Sequence, residues 1–469
     1  MKRSFTWMAL AIGAALLPAT VSAQTLNQAL ASAYKNSGLL QQNQALLRSV
    51  DENVAQATAA LRPILNWSAN VQRQWSSSTA ASASLSSYSA SDSKNIGISA
   101  SLLLYDFGAS QLAKQAAEQT VKAAQMSLIS AEQAVLQRAV TAYLNAYQAE
   151  QTLALRQSNV RLIQEELRAA QDRFEVGEVT RTDVALAQAR LAAAVSLLAV
   201  AKGDLDIAGE EFVAAIGQKP SALALPGSIP KTAKNVAQAR AEAVKYHPRL
   251  KEVQINVAVA DLNYERARVA MKPTLNLSAQ AQLADSFSTA AQENIHSRSG
   301  SVSLGLSGPI YQGGRLKSLQ RQAGATRDAE RAALHVARTE VEQQIGNALA
   351  YLEIARASYR ASDQQVTASQ LAFEGVREEA KLGSRTTLDV LNAEQELLDA
   401  RTGRIGARID EYSAAYGMLA ATGRLTARSL GLNVPLYDPN VNFNAVKNAP
   451  VLSPESKRLK SVLQAIGIE

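Results

Sequence analysis

The sequence predicts an exported α+β membrane protein, built from an internally duplicated strand–strand–long-helix unit. Three observations carry that expectation. The chain opens on an export signal. Four later segments alternate apolar and polar residues at period two. Two proline-free spans, between Pro63 and Pro220 and between Pro309 and Pro435, leave room for helices longer than one compact domain holds.

The export signal occupies residues 1–23. Lys2 and Arg3 supply its positive region, an apolar run extends from Trp7 to Leu17, and Val21-Ser22-Ala23 offers small residues for cleavage. The mature chain is expected to begin near Gln24. No later stretch of about 18–20 uncharged apolar residues is expected to span a bilayer as a helix. Strands are then the remaining way to cross one. The chain has no cysteine, which excludes disulfides and a lipid anchor on an N-terminal cysteine. Its net charge of +7 is mild, and no basic cluster is interleaved with aromatics, so nucleic acid is not an expected partner.

The chain repeats itself. Arg62-Pro63-Ile64-Leu65-Asn66 is echoed by Lys272-Pro273-Thr274-Leu275-Asn276, and Leu104-Tyr105-Asp106-Phe107-Gly108 by Ile310-Tyr311-Gln312-Gly313-Gly314. Ala142-Tyr143-Leu144 returns as Ala350-Tyr351-Leu352. Val176-Gly177 with Thr180 and Asp183 returns as Leu382-Gly383 with Thr386 and Asp389. The spacing, about 200 residues each time, marks a tandem duplication. The expected division is a first repeat over 24–216, a Pro- and Gly-containing linker over 217–234, a second repeat over 235–425 and an irregular tail over 426–469.

Each repeat begins with a helix, expected over 25–61 and again over 235–271. Two strands follow. Leu65, Trp67, Ala69 and Val71 alternate with Asn66, Ser68, Asn70 and Gln72, and Ile96, Ile98, Ala100 and Leu102 alternate with Gly97, Ser99 and Ser101. In the second repeat Leu275, Leu277, Ala279, Ala281 and Leu283 alternate with polar residues, as do Val302, Leu304 and Leu306. Each run has one apolar and one polar face. Each is also about as long as a tilted strand must be to cross a bilayer. Trp67 and Trp75 share the outward register, as interfacial anchors would. Taken alone, the strands also suit a soluble sandwich with one wet face per sheet. Residues 76–93 and 285–300 read as the loops between paired strands.

Long helices are expected over 109–176 and 315–381, with return helices over 182–216 and 388–422. The first is rich in alanine, the strongest helix former. At 1.5 Å per residue such a helix is about 100 Å long, and it must pack as a coiled coil against its return helix and neighbouring chains. Four strands cannot close a barrel, and an open edge in lipid is not tolerated. A cyclic homo-oligomer follows, of two or of three copies.

In these features the chain resembles the TolC family of outer-membrane efflux and type I secretion channels, over about residues 25–425. The resemblance rests on the duplicated unit, the strand starts at Pro63 and Pro273, and the Tyr-Asp-Phe-Gly and Tyr-Gln-Gly-Gly strand ends. It rests above all on two helical turns: Arg173-Phe174-Glu175-Val176-Gly177 leading to Thr182-Asp183, and Leu382-Gly383-Ser384-Arg385-Thr386-Thr387-Leu388-Asp389. It implies a homotrimer with a twelve-stranded β-barrel continuous with a twelve-helix α-barrel tunnel. It implies residence in the outer membrane, with a long periplasmic extension. The implied partners are a periplasmic adaptor and an inner-membrane ABC or proton-driven transporter, with outer-membrane lipid around the barrel. It also implies a gate at the periplasmic tip. Thr182 and Asp183 match the acceptors on the first hairpin, Arg385 the cation on the second, and Asp389 an acidic ring. The match is incomplete, because Ala380 stands where some members have tyrosine and Asn392 where a second acidic ring occurs.

The same turns have a purely structural reading. Thr180 with Asp183, and Thr386 with Asp389, fit helix N-caps with an acidic residue in the first turn, and Gly177 and Gly383 fit C-caps. His247, His296 and His335 are dispersed without ligand-spaced neighbours, so no metal is expected. No catalytic triad, phosphate loop or dinucleotide fingerprint is present, and neither an enzyme nor a cofactor is expected. A trimeric coiled-coil adhesin is the competing class, but it would place its strands at the C-terminus only. A soluble periplasmic adaptor would not need four strands of bilayer length.

Overall fold

The computed structural model describes residues 24–79, 86–288 and 293–450. The expected signal peptide and the part of the expected tail beyond residue 450 lie outside the described residues. The chain runs β1 (Gln24–Thr25), α1 (Leu26–Asn36), α2 (Gly38–Ala59), β2 (Ile64–Thr79), β3 (Ser86–Tyr105), α3 (Ala109–Glu175) and α4 (Arg181–Ile216). It continues through β4 (Leu223–Ala224), α5 (Val236–Tyr246), α6 (Pro248–Val269), β5 (Thr274–Ser288), β6 (Glu293–Ser307), α7 (Arg315–Lys381) and α8 (Thr387–Ala421), and ends on α9 (Asn440–Val446). Two helices, two strands, a long helix and a return helix thus occur twice in the same order.

Four corrections to the expected elements have physical causes. Each opening helix is two helices. Ser37 is extended (φ −69°, ψ 110°) and its hydroxyl accepts from the Leu40 amide, so it caps α2. In the second repeat Pro248 occupies the first turn of α6, where its missing N–H costs nothing, and His247 before it is extended. Second, residues 76–79 and 86–93 are strand, as are 285–288 and 293–300. Their serines and charges suggested loops, but ladder partners satisfy their backbones. Ser76 and Ser89 hydroxyls bond across at 3.0 Å, and Arg73 pairs with Asp92 at 3.5 Å.

Third, the tail is not wholly irregular, since it carries α9. This segment lies along α2: Asn442 Nδ2 donates to the buried Asp51 carboxylate at 2.7 Å, and Thr58 Oγ1 donates to Lys447 O at 3.0 Å. Arg62 Nη1 donates to Ala449 O at 2.7 Å. Fourth, α4 is long and apolar enough, by length and composition only, to cross a membrane as a helix. Its alanines and leucines surround a lone Arg190 in the apolar stretch, and only 17% of that stretch is buried within the chain.

Two compact units divide the chain. One takes the described residues up to Asn36, with Arg138–Pro230 and Ser358–Ser413. Here α1 packs on α4, and Leu26, Leu30, Tyr143, Phe212 and Ile216 are fully buried. β1 pairs with β4 in parallel, so the linker is anchored and not free. The Tyr143 hydroxyl lies 2.6 Å from Gln24 O and 2.7 Å from Ala224 O, so its single proton is shared between the two carbonyls.

The other unit takes Ser37–Gln137, Lys231–Ala357 and the described residues from Ala414. It contains a four-stranded antiparallel sheet in the order β2-β3-β5-β6. Its helical part has a core of Ala239, Ala243, Val341, Ile345 and Met418. A second cluster joins Leu47, Val54 and Val121 to Tyr437 and Phe443 of the tail. Phe107-Gly108 and Gly313-Gly314 take positive φ where the chain turns from β3 into α3 and from β6 into α7.

Candidate functional site: two hairpin tips and one apolar sheet face

The register of the sheet sorts its faces. Trp67, Ile98, Ala281 and Gly300 stand in one row, Ala69, Ile96, Leu283 and Arg298 in the next. Leu102, Leu277 and Leu304 form another row on the same face. The opposite face carries rows such as Ser101, Ser278 and Ser303, with the last two hydroxyls 2.8 Å apart. A one-residue slip in any pair would mix the two faces. Trp67 and Val302 are each 77% exposed in the single chain, which is costly for large apolar groups in water.

The apolar band ends abruptly. Beyond Leu283 come the rows Val71–Lys94–Asp285–His296 and Arg73–Asp92–Phe287–Asn294. His296 Nδ1 lies 2.6 Å from Asp285 Oδ1 across one of them. From Leu275 to Leu283 the band extends about 27 Å along the strand. A tilt of about 40° reduces that to about 21 Å between the end Cα atoms, a few ångströms short of the ~25 Å apolar height of membrane barrels. Trp67 sits inside this band and Trp75 beyond the charged rows, paired with Ala90.

The hairpin tips are built by two copies of one device. At the end of α3 the Glu178 amide donates to Arg173 O at 2.9 Å and the Gly177 amide to Phe174 O at 3.0 Å. At the end of α7 the Ser384 and Gly383 amides do the same to Glu379 O and Ala380 O, both at 3.1 Å. This is a Schellman ending, and Gly177 (φ 84°) and Gly383 (φ 78°) supply its left-handed residue. The return helices then start on reciprocal caps. Asp183 Oδ2 accepts from the Thr180 amide at 2.9 Å and hydroxyl at 2.8 Å, and Asp389 Oδ2 accepts from Thr386 at the same distances. Each aspartate amide donates back to its threonine hydroxyl, at 3.3 Å and 3.2 Å. The Thr386 amide, then its hydroxyl, holds the Asp389 carboxyl below its usual range.

The residues expected at a gate are thus only partly brought together. Thr182 is exposed on the first turn of α4. Arg385 does not reach Asp183 in this chain, because its Nε donates to Glu379 Oε2 at 2.8 Å, across its own turn. Ala380 is buried in an apolar cluster with Phe373, Val390 and Leu397, against Leu162 of α3. Asn392 does meet the first hairpin, accepting from Arg190 Nη2 at 3.1 Å.

Two further links were not expected. Arg377 of α7 pairs with Glu166 of α3 at 3.2 Å. Asn159 Nδ2 of α3 donates to Glu394 Oε1 of α8, and both residues are only 5% exposed. Burial first, then the nearby Asp399 and Glu166 charges, push the Glu394 pKa up; Asn159 and Arg190 oppose this. A sequence signal existed for it. Glu394 falls in the stripe of Val390, Leu391, Leu397 and Leu398, at the spacing that faces a helical core.

Among the described residues no group of three or more side chains is arranged to hold a metal. His247 is buried and its pKa is pushed down by desolvation alone.

The sequence matches the family described as outer membrane efflux protein over residues 29–218 and 239–424. The chain belongs to that family. It is 36% identical to the outer membrane efflux protein BepC of Brucella suis biovar 1, over 93% of each chain. It is 27% identical to the outer membrane protein TolC of Escherichia coli, over 68% of this chain and 67% of that one. The fold is that of the Campylobacter jejuni outer membrane channel CmeC, with a TM-score of 0.74 at 16% identity, covering 91% of this chain and 90% of that one.

Proposed function

We propose that three copies of this chain form an outer-membrane exit duct. Each copy supplies four strands to a twelve-stranded barrel and four helical columns to a twelve-helix periplasmic tunnel. The observation that carries the reading is the sheet. It has an apolar face of nearly bilayer height, and among the described residues its edge strands β2 and β6 have no neighbour on their outer sides. Unpaired edges in lipid are too costly to leave open, and ring closure by identical copies removes them. The sparsely buried apolar stretch of α4 supports the same assembly, since a neighbouring chain's helix would cover it.

The duct is passive. An inner-membrane ABC or proton-driven transporter, docked through a periplasmic adaptor, supplies the energy and selects the cargo, whether small molecules or unfolded proteins. The hairpin tips form the periplasmic constriction. There Thr182, Asp183, Arg385 and Asn392 set the gate, and three copies of Asp389 line it with negative charge. Trp67 and Trp75 anchor the barrel in outer-membrane lipid. Export relies on cleavage of residues 1–23.

Detergent extraction of the outer membrane followed by light scattering tests the assembly. The expected mass is about three times that of one chain, with channels in planar bilayers. A soluble monomer in the periplasmic fraction would overturn the reading.

A further inference from the structure

We propose that Gln24 becomes the first residue of the mature chain and is converted there to a pyroglutamyl ring. The inference rests on cleavage after Ala23 and goes beyond the duct itself.

The surroundings of Gln24 are built, not open. The residue is 7% exposed. Its backbone N donates to Ala222 O at 2.9 Å, and its Oε1 accepts from the Ser221 amide at 3.3 Å and hydroxyl at 3.5 Å. Its carbonyl is fixed by the Tyr143 hydroxyl at 2.6 Å. Nε2 alone is buried with no partner among the described residues. Cleavage after Ala23 would turn the backbone N into an ammonium at this site, with the Ala222 carbonyl as its hydrogen-bond acceptor. A charge with so little compensation is expensive to bury, and so is an orphaned amide donor.

One intramolecular reaction removes both. The neutral α-amine attacks Cδ, the N–Cδ bond forms and the Cδ–Nε2 bond breaks. Nε2 leaves as ammonia, taking one proton from the attacking nitrogen. Nothing is oxidised or reduced and no second reactant is needed. The departing atom is the one that has no partner. The ring that remains shows a lactam N–H beside a lactam C=O, on one edge. Ala222 O and the Ser221 amide already present the complementary acceptor and donor for that edge. The modification also makes the end of β1 neutral where it pairs with β4.

The test is mass spectrometry of the N-terminal peptide from protein taken from outer membranes. Free amines are labelled at lysis, so that cyclisation during work-up scores as unmodified. The expected peptide begins at Gln24, is lighter by one ammonia, carries no label and is opened by pyroglutamyl aminopeptidase. Gln24→Ala should give a labelled N-terminus and lower the melting temperature of the assembled protein. A labelled Gln24 peptide from the unaltered protein overturns the proposal. Any other first residue also overturns it, and places the fault in the cleavage site. A blocked Gln24 on a soluble periplasmic monomer would support it while defeating the duct.

Discussion

Asn159 and Glu394, one on each helical hairpin, share a buried hydrogen bond in the same unit as both tips. The carboxylate is expensive to desolvate, and its buried partner is a neutral amide. The charged groups that act on it are Glu166 on α3, Arg190 on α4 and Asp399 on α8. Glu166 already pairs with Arg377. Packing the hairpins together therefore favours the protonated form of Glu394.

The sign of the pH effect follows from the raised pKa. A carboxyl group whose pKa is raised by packing stabilises the packed state most when protonated. That stability is lost as pH rises from the ordinary glutamate value of 4.5 through the raised one. Acid should thus hold the hairpins together and lower single-channel conductance in planar bilayers. Glu394→Gln, which keeps the shape and removes the charge, should conduct less than the unaltered protein at neutral pH and lose this part of the pH response. An unchanged pH profile in Glu394→Gln would assign the titration elsewhere.

Arg385 gives a second, separable prediction. In the single chain it is held by Glu379, and both side chains are half exposed. If the gate needs Arg385 to reach a neighbouring chain, Glu379→Gln should free it and lower conductance. Arg385→Ser, alone or with Asp183→Ala, should raise conductance and leave trimer yield unchanged. Asp183→Ala by itself should loosen the first turn of α4 by about 1 kcal/mol, seen as faster amide exchange there, because Asp183 completes the cap. If Arg385→Ser conducts like the unaltered protein, the cation only stabilises its own turn.

Much of this architecture was legible because it rests on period and punctuation. The long helices end within a residue of the expected positions, since Gly177, Gly383 and the following Thr-x-x-Asp sequences are strong local signals. The strand faces were legible because alternation at period two leaves one register that keeps the apolar rows together. The breaks at Ser37 and His247 were missed for a different reason. Helical periodicity continues on both sides of each, and only a cap and a Pro at the first turn mark the interruption. The extended strands were missed because Ser86 to Ser93 looks like loop by composition, while its pairing with β2 and β5 depends on residues far away in sequence. The same applies to Glu394. Its place on a buried stripe is visible, but its partner on α3 is not.

Gly423 separates packing from backbone strain. It takes φ 77°, and an added Cβ would lie 2.6 Å from His247 Cα and 2.7 Å from His247 N. That is rigid backbone at the junction of α5 and α6, so the contact cannot be relieved by a rotamer change. Gly423→Ala should cost about 1–3 kcal/mol for the overlap, on top of the left-handed strain. Gly177 has a similar φ of 84° with nothing within 4 Å of the added atom. Gly177→Ala should therefore show only the strain, about 1–2 kcal/mol. Thermal unfolding in one detergent should rank Gly423→Ala below Gly177→Ala. Equal midpoints would mean that the α5–α6 junction yields.

The faces of the sheet can be tested at adjacent positions. Leu277 stands in the row Leu102–Leu277–Leu304, inside the apolar band, and Ser278 in the polar row Ser101–Ser278–Ser303. If the band lies in lipid, Leu277→Arg places a cation against hydrocarbon and should cost about 2–4 kcal/mol near the midplane. Ser278→Arg, one residue along, points the same charge into a water-filled lumen and should be tolerated. The readout is the yield of assembled protein that resists sodium dodecyl sulfate before heating, compared with total protein in the outer-membrane fraction. Leu277→Arg should lose most of it and Ser278→Arg little. Conductance adds a second measurement, because in the proposed trimer Ser278→Arg would put three positive charges in the pore and shift ion selectivity towards anions. If the two variants assemble equally, the apolar face does not meet lipid, and the sheet closes against something other than a bilayer.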